Sequence, residues 1–117
     1  MLTSQEIAAL AVKALDNKLA RDIQILKTDK VTTLADYFIL CTANSSTHSK
    51  TLADEVDKVL SEAGEPPLRR EGYRSGGWTL LDFGCVIVHV FSEDMRSFYS
   101  LDRLWSDAEK IDYKEFL

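Results

Sequence analysis

Cysteine, histidine, proline and glycine are all scarce in this chain. Its 117 residues include two Cys, two His, two Pro and five Gly. Two cysteines are too few to staple a fold, and a chain of this length buries roughly two-thirds of its unfolded surface, so it can fold on a hydrophobic core alone. No Pro/Gly-rich stretch, repeat or low-complexity segment divides it, which leaves one domain over 1–117 as the expectation. No apolar run approaches the ~20 residues that cross a bilayer. The opening Met1–Glu6 has neither the basic region nor the apolar stretch of a secretory leader, so a cytoplasmic location with reduced thiols is expected. Basic charge is short as well. Fourteen Lys and Arg against nineteen Asp and Glu give a net charge of −5. Nucleic-acid binders draw affinity from neutralised phosphates, and the one basic patch on offer here is Arg69, Arg70 and Arg74. The balance argues against a direct nucleic-acid reader and suits a basic protein partner.

The scarcity of ligating residues also narrows the chemistry. Cys85 and His89 on one strand face would lie about 13 Å apart, too far for one zinc ion. Cys41 and His48 fall on different elements, and two ligands do not make a site, so no metal centre is expected. No phosphate-cradling G-x-x-x-x-G-K or G-x-G-x-x-G occurs. Gly76-Gly77 followed by Asp82 on a strand looks like a nucleotidyltransferase, but the second carboxylate that would share a metal is replaced by Gly84. Glu55/Asp57 and Asp107/Glu109 read as solvated helix faces. No catalytic residue and no cofactor are expected.

What is present is a regular alternation of helical and strand patterns. Thr3 and Glu6 make a capping box with Leu2 and Ile7 as its hydrophobic staple. Ile7, Leu10, Ala11, Ala14 and Leu15 then form one helical face that fades near 16–19. Residues 21–28 alternate as a strand with Ile23 and Ile25 inward, and 27–30 turn. Residues 36–43 are apolar on both faces, Phe38 and Leu40 to one side and Tyr37, Ile39 and Cys41 to the other, as in a central strand. Asn44–Ser46 can cap a second helix with a Leu52, Val56, Val59, Leu60, Ala63 stripe ending at Gly64. A short strand near 68–71 precedes a hairpin, 78–83 and 85–91, turning at Gly84. Ser92 can cap a short helix carrying Met95, Phe98 and Tyr99, followed by further turns through Leu101–Ala108, and 109–117 reads as a frayed tail. The expected fold is α/β, with a mixed sheet of about five strands flanked by helices.

His89, among apolar strand residues, reads more readily as a satisfied core histidine than as a base, and Asp82 has no cationic partner nearby in sequence. Trp78 beside two glycines and Arg96 after the hairpin read as surface residues; with Tyr99 they are the residue types favoured at binding hot spots. Trp105 and Phe98 read as core.

The runs Asp36–Ser46, Gly77–Gly84 and Val86–Phe91, with Arg96–Trp105 after them, resemble the ribosomal silencing factor RsfS (Iojap/YbeB) family over residues 3–108. That resemblance implies a nucleotidyltransferase-like fold without the catalytic acids. It implies binding to ribosomal protein fourteen of the large subunit, a steric block to subunit joining that represses translation, and a homodimer in the free state. It maps the partner-binding surface onto Trp78, Leu80 and Asp82, with Arg96 and Tyr99 alongside. Cys85 departs from the family, which usually has an acidic or polar residue there; an acidic grip would then fall to Asp82 and to Glu93 or Asp94. A metal-dependent nucleotidyltransferase-like enzyme, an assembly factor without a silencing role and a self-associating structural module are the alternatives.

Overall fold

The computed structural model describes residues 2–30, 33, 35–72, 77–95 and 108–117. Helix α1 (Ser4–Asn17) begins as its capping box dictates. Glu6 N–H donates to Thr3 Oγ1 (3.1 Å) and Thr3 N–H to the Glu6 carboxylate (2.9 Å). These bonds to Thr3 hold the Glu6 carboxyl below its ordinary pKa. Leu2 and Ile7 pack into the same core, as a staple should.

Strand β1 (Arg21–Lys27) follows, then β2 (Tyr37–Ala43), whose seven residues are all buried. Ser45 caps α2 (Ser46–Glu62) by accepting from His48 N–H at 3.0 Å, and Gly64, at φ +88°, lies just past its end. Strands β3 (Arg69–Glu71), β4 (Trp78–Asp82) and β5 (Val86–Ser92) complete the hairpin region. Among the described residues the mixed sheet has six strands, in the order β3-β4-β5-β2-β1 with a sixth beside β1. The additional one, β6 (Glu109–Ile111), comes from the stretch expected to fray. It pairs antiparallel with β1, and the 3-10 turn that follows (Tyr113–Phe116) sets Phe116 edge-on against Tyr37 at 6.0 Å. Edge pairing and burial of one ring hold a segment whose own composition is too polar to order it.

The sheet is mixed: β2 and β5 run parallel at its centre and the other pairings are antiparallel. Both described helices cover one face. Under them lie Tyr37, Ile39, Cys41, Leu81, Val86, Val88 and Val90, packed with α1 and α2. Ala8 and Val12 join the predicted face of α1 because that helix is also packed against α2 and the 3-10 turn. The opposite face carries a smaller cluster built on Leu26, Phe38, Leu40 and Phe91. The period-2 reading of β2 therefore holds on both sides.

Candidate functional site

The candidate surface lies on the face away from α1 and α2. Alternation along β4 sends Thr79 and Leu81 toward the helices and Trp78, Leu80 and Asp82 the other way. In register, Trp78 sits opposite Phe91, Leu80 opposite His89 and Asp82 opposite Ile87. The sheet thus brings Trp78, Leu80 and Asp82 together as one row, with Trp78 and Leu80 half-buried. Arg96 and Tyr99 lie outside the described residues.

Trp78 is held by its neighbours. Its ring stacks on Phe91 (centroids 5.1 Å apart, planes 28° apart), and its Nε1–H donates to His89 Nδ1 at 3.1 Å. His89 contacts Phe38 at 5.2 Å and Phe91 at 6.0 Å, its ring nearly parallel to the latter at 8°. Burial pushes the imidazole pKa down to about 4. His89 is thus neutral at pH 7, a core residue as its surroundings in sequence suggested, but with one nitrogen committed to Trp78.

Asp82 has the cationic partner that the local sequence hides. One carboxylate oxygen accepts the Gly84 N–H (2.7 Å) and the other pairs with the Arg69 guanidinium (3.0 Å). Only 14% of its side chain is exposed. Both oxygens serve the hairpin, so Asp82 shapes this face instead of presenting a free anion. Among the described residues, no group of three or more His, Cys, Asp or Glu is placed to hold a metal ion.

The basic patch dissolves in three dimensions. Arg69 and Arg70 are consecutive in β3, so they point to opposite faces. Arg69 pairs with Asp82 and Glu71, and Arg70 with Asp54 and Asp57 of α2, at 3.1 and 2.7 Å. Arg74 lies outside the described residues. Cys85 is in the turn ahead of β5 and packs against the core under the helices, so it does not share a face with His89. Burial pushes its thiol pKa up. Glu93 and Asp94 are exposed just past β5, and Glu93 reaches Arg21 at 3.4 Å. Ser92 caps this segment as expected, its Oγ accepting from Met95 N–H at 3.3 Å.

A fixed, half-buried indole on the sheet face away from α1 and α2 is a candidate for contact. The whole chain, residues 1–117, matches the RsfS family, described as "Ribosomal silencing factor during starvation". The chain belongs to the RsfS family. It is 39% identical over 111 residues, 95% of each chain, to the ribosomal silencing factor RsfS of Halalkalibacterium halodurans. A crystal structure of a Chromobacterium violaceum protein superposes with a TM-score of 0.88 at 39% identity, covering 90% of this chain and 88% of that one. A more distant mouse relative, 26% identical over 83% of this chain and 44% of its own length, is named mitochondrial assembly of ribosomal large subunit protein 1. RsfS-family membership accounts for the sequence runs that carry the resemblance. Among the described residues, no helix is long and apolar enough to cross a membrane.

Sequence reasoning missed two parts of the site. The Arg69–Asp82 pair joins residues thirteen apart through the β3–β4 ladder. The Trp78–His89 bond is a diagonal contact between β4 and β5; the hairpin register read from Gly84 was the signal that could have found it.

Proposed function

We propose that this chain is a ribosomal silencing factor that acts in the cytoplasm by occupancy and without catalysis. It docks on ribosomal protein fourteen of the large subunit through the face bearing Trp78 and Leu80, and it sterically blocks joining of the small subunit. The observation that carries this reading is the half-buried Trp78 beside Leu80 on the face away from α1 and α2, its ring plane fixed by Phe91. An indole immobilised in advance gives broad contact area with little entropy left to lose.

Arg96 and Tyr99 complete the proposed contact set, and Asp82 supports it by holding the hairpin turn and Arg69. The net charge of −5 favours encounter with a basic protein, and the exposed Glu93 and Asp94 lie at the rim, where charge acts mainly on association rate. A standard interface takes about 800 Å² from each partner, a small share of the 6455 Å² this chain exposes. A body of 33 × 32 × 25 Å seated between surfaces that must meet keeps them apart. In the free state, the same reading has the chain as a homodimer.

The test is sedimentation of purified protein with isolated large subunits, followed by light scattering as small subunits are added. Binding together with a loss of joined ribosomes is expected, and Trp78→Ala should weaken both while the protein stays folded. Undiminished cosedimentation of Trp78→Ala would remove Trp78 from the site, and free subunit joining in the presence of bound protein would overturn silencing. The name of the mouse relative favours a second reading, in which large-subunit assembly is the main role; binding without any block to joining would select it.

A further inference from the structure

Three buried side-chain atoms among the described residues have no hydrogen-bond partner: Gln24 Oε1, Ser49 Oγ and His89 Nε2. His89 stands apart, because its other ring nitrogen is engaged by the residue that carries the docking face. A neutral imidazole that accepts through one nitrogen bears its proton on the other. Since Nδ1 accepts from Trp78, Nε2 carries the hydrogen, and that donor is buried without an acceptor among the described residues. The ring is 4% exposed and held neutral by burial. An apolar side chain of similar size would fill the space beside Phe38 and Phe91 without burying the Nε2–H, and the half-buried indole N–H it releases has access to solvent. In terms of stability, His89 is therefore a poor choice. What it supplies is one acceptor, aimed at the indole.

That acceptor fixes what stacking leaves free. Contact with Phe91 sets the plane of the Trp78 ring. It leaves open a half-turn about Cβ–Cγ, which keeps the plane and exchanges the edge that faces outward. The Nε1–H···Nδ1 bond selects one orientation. A partner that needs this orientation binds more weakly in proportion to the fraction of molecules that lack it.

We propose that His89 is a positioning residue, whose Nδ1 locks the Trp78 indole in the orientation that docks on the large ribosomal subunit. This rests on the reading that Trp78 is part of the docking surface. Phe38 and Phe91 clamp His89 in turn, so a residue with no surface of its own sets the geometry of one that has.

The test uses the full chain and isolated large subunits, with affinity and folding stability measured separately. His89→Leu removes the acceptor and Trp78→Phe removes the donor. Each should weaken binding by about three- to tenfold, the usual range for one hydrogen bond. The double variant should be no weaker than the worse single one, because both delete the same bond. His89→Asn can place an amide oxygen near the Nδ1 position and should regain most of the lost affinity. His89→Leu should be at least as stable as the wild type to urea, and the Trp78 indole N–H resonance should move and exchange faster with solvent.

A merely structural His89 would give a variant that loses stability and affinity together, and that result overturns the proposal. So does wild-type affinity in His89→Leu, or additive losses in the double variant. If Trp78→Ala weakens binding while His89→Leu does not, positioning fails and the docking face stands. If Trp78→Ala binds like the wild type, the docking reading fails first and this inference falls with it. Should His89→Leu fail to fold, His89→Asn, read through affinity and the Trp78 indole resonance, and Trp78→Phe, read through affinity, carry the same comparison.

Discussion

Acidification should destabilise this protein through one buried ring. His89 is 4% exposed, and burial takes its pKa from the ordinary 6.5 down to about 4. Protonation within the fold would also place a hydrogen on Nδ1, the atom that accepts from Trp78. Between about pH 6.5 and 4 the unfolded chain therefore binds a proton that the folded chain refuses, and stability falls as acid is added. Above that window both states are neutral and the ring contributes no pH dependence. The gap between the two pKa values, at roughly 1.4 kcal/mol per unit, caps the loss at about 3 kcal/mol. Some 2–3 kcal/mol of it should have appeared by about pH 4.5, before most carboxylates titrate. The assay is urea unfolding at constant ionic strength at several values between about pH 7 and 4.5, on wild type and His89→Leu. The wild-type midpoint should fall by about 1–2 M urea more than that of the variant. All other groups are common to both proteins and cancel in the difference. Identical slopes would refute the argument and show that the fold admits the proton, by repacking or by water reaching the ring.

Four further substitutions probe the scaffold. Gly72 has φ +74°, and a β-carbon there would run into the Trp78 carbonyl oxygen, so Gly72→Ala should cost about 2–4 kcal/mol in denaturant melts. Gly64→Ala, at φ +88° but with open space around it, should cost only about 1 kcal/mol. Asp82→Ala removes both the acceptor for Gly84 N–H and the partner of Arg69, for an expected loss of about 1–2 kcal/mol. Arg69→Ala, whose side chain is 63% exposed, should lose less than about 1 kcal/mol in the same assay.

The elements that the linear chain determined are those set by local chemistry. The Thr3/Glu6 box starts α1 because its two hydrogen bonds close within a single turn. The doubly apolar run at 37–43 could only be a central strand, and Ser45 and Gly64 bracket α2 by cap and left-handed stop. Trp78 could be picked out as a surface aromatic from its own neighbourhood. Where residues distant along the chain meet, that neighbourhood is silent. Strand β6 exists because the edge of β1 offers unpaired backbone groups to a segment with no strand pattern of its own. Arg69 and Arg70 look like one basic patch along the chain, and strand alternation separates them onto opposite faces with different acids. Asp82 found its cation, and His89 its donor, only across ladders between strands. Capping and periodicity act over a few residues and leave their mark on the sequence. The pairing of side chains across a sheet depends on register and on which strands are neighbours, and the packed tertiary structure alone decides both.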